Sequence, residues 1–143
     1  MATTLLKAKD LLEIIGDAES KKMDEERRKK EKRDHQMKEL RDAFMSREIH
    51  PEVMDRLNKV IRIAAEQGLR QVEIITFPAS YCNDRGRRIN NQLPDWPESL
   101  VGFAKRAYDV YNKELRPLGY KLNAEVLNFA GEVPGDIGMT LKW

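Results

Sequence analysis

The chain has 143 residues, of which 26 are Lys or Arg and 24 are Asp or Glu, so the net charge is only +2. Apolar residues make up 41%, and there is one cysteine, which excludes a membrane-spanning chain, a collagen-like repeat and a disulfide scaffold. The near-balance of charge argues against nucleic acid as a partner, because nonspecific binding needs an excess of Lys and Arg on one surface.

The first residues predict a short amphipathic helix. Leu5, Ala8, Leu12 and Ile15 recur at spacings of three and four. Interspersed charges make the segment unlike a secretory signal, so we predict a cytoplasmic protein with no membrane partner. Gly16 is expected to end or loosen this helix, because glycine is a poor helix former.

A strongly charged segment follows. Residues 17–48 contain 11 basic and 10 acidic residues, with acids often four positions before bases, the order that stabilises a helix. No apolar residue lies between Met23 and Met37, so the helix is coiled-coil-like but has no regular apolar seam. We predict a helical arm over residues 1–48, anchored at its C-terminal end, with disorder over residues 19–36 as the alternative.

The remaining residues, 49–143, predict a compact domain. The predicted elements, in chain order, are a helix over 51–67, a strand over 71–77, a helix opened by Asp95 and Glu98 as a capping box, and strands over 121–129 and 136–143.

These elements predict an α/β (α+β) fold. N-terminal helices, including the long charged one, precede a small β-α-β-β mixed three-stranded sheet packed by helices. The first two strands are expected to run parallel if they are neighbours, and the last two are expected to be antiparallel. A three-stranded sheet has two edges, and one of them can pair with another copy, so we predict a homo-oligomer, a dimer.

The most polar segment, residues 80–91, is the candidate site. It leaves the carboxyl end of the first predicted strand, where ligands collect in α/β sheets. Its guanidinium groups are suited to a carboxylate or phosphate, although no known phosphate-loop spacing is present. The alternative is a solvated loop whose Asn and Arg residues satisfy turns and pair with nearby acids such as Asp84. Trp96 borders this segment. The candidate ligand-binding residues are Ser80, Cys82, Asn83, Arg85, Arg87, Arg88, Asn90, Asn91 and Trp96.

Cys82 is the one candidate nucleophile in this loop. Neighbouring arginines would lower its pKa, but catalysis also needs a positioned base, and the two histidines, His35 and His50, are distant in sequence. A small, half-buried filler is the alternative role. We therefore assign no catalytic residue, and the sequence predicts neither a metal site nor a cofactor.

Three functions follow from these observations. The first is a non-enzymatic cytoplasmic interaction or regulatory protein that self-associates and presents its charged arm to its own chain or to another protein. The second is a binder of a small anionic ligand, or a minor enzyme, that uses loop 80–91. The third is nucleic-acid binding through residues 27–33 and 85–88, which the surrounding acids disfavour.

Overall fold

The structure, a computed structural model, describes residues 3–143. Two compact units divide the chain, one ending at Asp42 and one running from Ala43 to Trp143. The long helix, the further helices and the small sheet confirm the predicted fold class. Residues 1–2 of the predicted arm 1–48 lie outside the described residues, and residues 43–48 belong to the second unit.

One helix, α1, runs from Ala8 to Ser46 and accounts for most of the first unit. Residues 19–36 are helical, which is the first of the two predicted alternatives. Of the two effects predicted for Gly16, the end of the helix is wrong, because the helix continues through this residue, which does not take the positive φ of a glycine stop. No residue of α1 is buried.

Short-range ion pairs link successive turns of α1. Arg27 lies 3.3 Å from Asp24 and 4.0 Å from Glu31, and His35 Nε2 lies 2.8 Å from a carboxylate oxygen of Glu39. Exposed pairs of this kind contribute about 0.2–0.5 kcal/mol each to a helix. Local interactions therefore support α1 in the first unit.

The second unit is built on three strands, β1 (Gln71–Pro78), β2 (Lys121–Val126) and β5 (Asp136–Lys142). Their order is β1-β5-β2, and β5 is antiparallel to both neighbours. The predicted antiparallel pairing of the last two strands is confirmed. The expected parallel pair does not form, because β5 lies between β1 and β2, so this sheet is antiparallel rather than mixed.

The core lies against one face of this sheet. Ile137, Met139 and Leu141 alternate along β5 and have no exposed surface. Leu122, Ala124 and Val126 of β2 pack on the same side. The other buried core residues are Phe77, Ala79, Cys82, Ile89, Leu100, Ala104, Tyr111 and Leu115. β5 is buried along nearly its whole length because it lies between β1 and β2.

The helices of this unit are α2 (Val53–Glu66), α3 (Arg87–Asn90) and α4 (Gly102–Val110), which continues through a π turn to Leu115. The predicted helix start at Asp95 is a short 3-10 turn, Trp96–Ser99, separated from α4. The predicted capping box is wrong, because the Asp95 side chain makes no cap. Its carboxylate instead lies 3.2 Å from Nε of Arg88.

A two-stranded sheet, β3 (Phe129–Ala130) with β4 (Val133–Pro134), follows β2. The predicted strand 121–129 is thus two strands. Leu127 and Asn128 separate them, and Asn128 Oδ1 accepts a hydrogen bond from the Asp136 amide at 2.9 Å.

Candidate functional site

The predicted site loop is fixed to the core by small and apolar residues. Ala79, Cys82 and Ile89 are buried within the same hydrophobic cluster. Gly86 has a φ of +84°, and a Cβ there would lie 3.1 Å from the Ala79 Cβ and 3.2 Å from Ile137 Cδ1. The loop therefore has a defined conformation that requires glycine at this position.

Asp84 organises the turn that leads into α3. Its Oδ1 accepts a hydrogen bond from the Gly86 amide, and its Oδ2 accepts one from the Arg88 amide, both at 3.0 Å. Backbone N–H groups at the start of a helix are the groups that would bind an external anion. Here the chain's own carboxylate occupies two of them, which was not predicted from the sequence.

Arg88 is held inside the loop by polar groups of the same chain. Its guanidinium lies 3.2 Å from Asp95 and 3.8 Å from Asp84, and it donates to Asn83 Oδ1 at 3.4 Å. Asn83 Nδ2 in turn donates to the Glu98 carbonyl at 2.9 Å. Arg88 and Asn83 thus connect the loop to the turn at Trp96–Ser99.

The other polar candidates face solvent. Ser80, Arg85, Arg87, Asn90 and Asn91 are exposed. Within residues 3–143, the guanidinium groups of Arg85 and Arg87 make no hydrogen bond or ion pair. Of the three arginines, only these two are free to meet an anion. The ligand-binding role of the loop stays a prediction.

Cys82 is 5% exposed. Burial raises the pKa of its thiol to about 11, an effect that a hydrogen bond with Ser99 only partly offsets and that nearby Asp84 increases. The thiol is therefore protonated at neutral pH, whereas the thiolate is the reactive form. The geometry fits the alternative role of a buried filler.

The histidines are engaged elsewhere. His35 pairs with Glu39 on α1. His50 Nδ1 accepts the Glu52 amide hydrogen at 3.0 Å, and its Nε2 lies 3.2 Å from Arg56. Over residues 3–143, no group of three or more His, Cys, Asp and Glu side chains is arranged to hold a metal ion.

An open cleft of about 460 Å³ adjoins the loop on the side of β2. Its lining combines apolar and uncharged polar side chains from two segments with one acid, Glu125. These residues are Ile89, Asn90, Gln92, Leu93, Pro94, Trp96, Asn123, Ala124, Glu125, Val126 and Phe129. Only Asn90 and Trp96 of the predicted site residues belong to it.

Trp96 forms one wall of the cleft and packs edge-on against Tyr108, with ring centroids 5.7 Å apart. Its ring therefore has a structural contact on one side and borders the cleft on the other. Phe129, which is 52% exposed, was missed by sequence reasoning. It was predicted only as the last residue of the strand 121–129, and no pattern in the sequence marked it as part of a site.

No family model, curated protein or solved structure matches this chain. Among the residues that the structure describes, no helix is both long and apolar enough to cross a membrane.

Proposed function

We propose that this chain is a non-enzymatic, cytoplasmic interaction protein that self-associates and presents helix α1 as a binding arm. The arm is the part of α1 in the first unit, residues 8–42. The Ala43–Trp143 unit has its own core.

The observation that carries the proposal is the exposure of α1 over residues 8–42, where every residue except half-buried Asp10 is exposed. The helix is 39 residues long and buries none of them. Most helices in proteins are stabilised by packing of an apolar face, whereas the apolar residues of α1 from Leu11 to Leu40 are exposed. Near the end of the helix, Phe44 packs against Phe77, Tyr81 and Phe103. Leu12 is 70% exposed, and Leu11 and Ile15 are also exposed. A partner helix or groove would bury this stripe, which has the i, i+3, i+4 spacing of helical anchors.

Two features of the loop support a non-enzymatic role. Cys82, the nucleophile considered for catalysis, is buried and protonated at neutral pH. Arg88 and the backbone amides at the start of α3 are already satisfied by Asp84 and Asp95. These contacts indicate that the polar residues near α3 hold the loop in place.

The second candidate function is binding of a small anionic ligand, because the guanidinium groups of Arg85 and Arg87 are unpaired among the described residues. If the loop binds such a ligand, the double variant Arg85→Ala/Arg87→Ala loses any rise in melting temperature that phosphate or a dicarboxylate produces at constant ionic strength. The single variant Lys105→Ala, which removes an exposed charge on α4, keeps it. The absence of any such rise in the wild-type chain would remove this candidate.

The arm is tested by site-specific photo-crosslinking in cells that express the full chain. A photoreactive residue at Leu12 is expected to give a discrete adduct, whereas one at exposed Asp17, on the other side of the helix, is not. Adding Ile15→Glu should abolish the adduct at position 12 because it places a charge in the apolar stripe. An adduct of twice the chain mass identifies a second copy as the partner. Equal labelling from both positions would contradict a defined binding face.

A further inference from the structure

Strand β2 is an edge with unpaired backbone groups. It has one neighbour, β5, and within residues 3–143 its residues 121–126 make no backbone hydrogen bond outside that pairing. The N–H and C=O groups on its other side are therefore available to another strand.

The opposite edge, β1, is less suited to pairing. Its register with β5 shifts between Glu73 and Ile75, and it ends at Pro78, which has no N–H to donate. In contrast, β2 pairs with β5 one residue for one residue from Lys121 to Val126. The regular edge of the sheet is β2.

The charges on β2 complement a second copy of the same strand. Lys121 and Glu125 are exposed, lie on the same face of the strand and make no ion pair among the described residues. Lys121 is directly opposite Lys142 of β5, so its only charged cross-strand neighbour has the same sign. It lacks a counter-charge that an added strand would supply.

We propose that two copies of the chain pair through β2, antiparallel, about a two-fold axis at Asn123. Lys121 of each copy then lies opposite Glu125 of the other, and Leu122 lies opposite Ala124. If the pairing register between the two strands shifted by one residue, the apolar side chains of one copy would lie on the polar face of the other. A shift of two residues would separate Lys121 from Glu125. This inference rests on the self-association proposed above and names its interface.

The cleft beside β2 strengthens the assignment to this edge. It is lined by residues 123–126 of the strand together with Trp96 and Phe129. A strand added to β2 arrives next to this partly apolar opening, and the two-fold axis brings the clefts of both copies to the same side of the joined sheet. Main-chain hydrogen bonds then fix the register, while apolar contacts add buried area.

The register is tested by charge reversal and its repair, measured as the dimer dissociation constant by sedimentation equilibrium. Lys121→Glu and Glu125→Lys each turn two attractive pairs into two repulsive pairs, so we expect each to raise the constant about tenfold or more. The double variant restores opposite charges and should return to within about twofold of wild type. Lys105→Glu changes the net charge by the same amount at an exposed position of α4 and should have no effect.

A cross-link tests the axis independently. Directly opposed residues in an antiparallel pair have Cα atoms about 4.5–5.5 Å apart, within disulfide range. Asn123→Cys should therefore form a covalent dimer on mild oxidation. Glu125→Cys, which lies off the axis, should not. The wild-type chain is the blank, because its one thiol, Cys82, is buried.

The outcomes separate the two proposals. Restoration by the double variant together with cross-linking at position 123 supports the interface. If neither single charge reversal changes the dimer dissociation constant and Asn123→Cys does not cross-link, this interface is wrong but self-association still holds. A chain that is monomeric at high micromolar concentration overturns both.

Discussion

The two compact units of this chain are stabilised by different interactions. In α1, ion pairs and backbone hydrogen bonds connect residues three or four positions apart, and nothing is buried. In the Ala43–Trp143 unit, strand pairs join residues as far apart as Gln71 and Lys142, and apolar side chains are fully enclosed. Similar residue types therefore have different energetic roles on the two sides of residue 42.

The contrast shows that apolar content alone does not place a residue in a core. Met23 of α1 is 70% exposed, whereas Met139 of β5 is fully buried. Burial stabilises in proportion to the apolar area removed from water, so Met139 contributes to folding and Met23 does not. An exposed apolar residue in the arm is available for recognition instead.

Matched methionine substitutions should give the largest difference between the units. Met139→Ala is expected to lower the free energy of unfolding by about 2–5 kcal/mol, because it leaves a cavity in the core. Met23→Ala should change it by less than about 0.5 kcal/mol. Urea denaturation followed by tryptophan fluorescence measures both. Equal effects would contradict the assignment of the core to the second unit.

Asp84 provides the next test, since its carboxylate accepts two backbone hydrogen bonds in the loop. Asp84→Ala leaves two amides without their acceptor, which is expected to cost about 1–3 kcal/mol. Asp109→Ala, at an exposed site on α4, is the control and should be neutral. If Asp84→Ala had no cost, the loop would not depend on these hydrogen bonds.

Two glycines should respond with opposite sign. Gly86→Ala places a Cβ in a left-handed conformation against the core and should destabilise the second unit by about 1–2 kcal/mol. Gly16→Ala lies inside α1 with open space around it and should favour the helix by about 1 kcal/mol. Urea unfolding reports the first, and far-UV circular dichroism reports the second as a higher helix content. A loss of helix in Gly16→Ala would contradict the continuous helix.

Cys82 should have no effect at neutral pH but should give the second unit a pH dependence in alkaline solution. Its pKa is about 11 in the folded chain, above the ordinary value of 9.0, so the folded state keeps a proton that the unfolded state releases. The free energy of unfolding is therefore expected to fall as the pH rises from 9 to 11.

Comparison with Cys82→Ala isolates this component, because the variant lacks the thiol and should lose that part of the slope. Alkylation by iodoacetamide at pH 8 should also be much slower in the native chain than in urea. Rapid native alkylation would contradict the buried, protonated thiol.

The sequence predicted the features that depend on local patterns. Alternation along residues 136–143 identified β5, and the balance of charges identified α1. The sheet order was not predictable in the same way, because the pairing of β5 with β1 depends on contacts distant in sequence. The helix-capping role predicted for Asp95 was wrong for a related reason. Arg88, seven residues earlier in the chain, pairs with the carboxylate that would have formed the cap.

The candidate site shows the same limit. Residue type correctly marked loop 80–91 as polar, but it did not distinguish Arg88, which is paired within the loop, from Arg85 and Arg87, which are not. Nor did it indicate that Cys82 is enclosed. Nor could it show that β2 lines the cleft, because the cleft forms where two segments more than 25 residues apart in sequence come together.

The central position of β5 has a consequence for how the chain folds as it is made. Strands β1 and β2 have no hydrogen bonds to each other, so neither has a sheet partner until the residues of β5 leave the ribosome. Nascent chains carrying β1 and β2 alone would expose two unpaired strands, the kind of segment that chaperones bind. In contrast, α1 can form early, because every bond along it spans only a few residues.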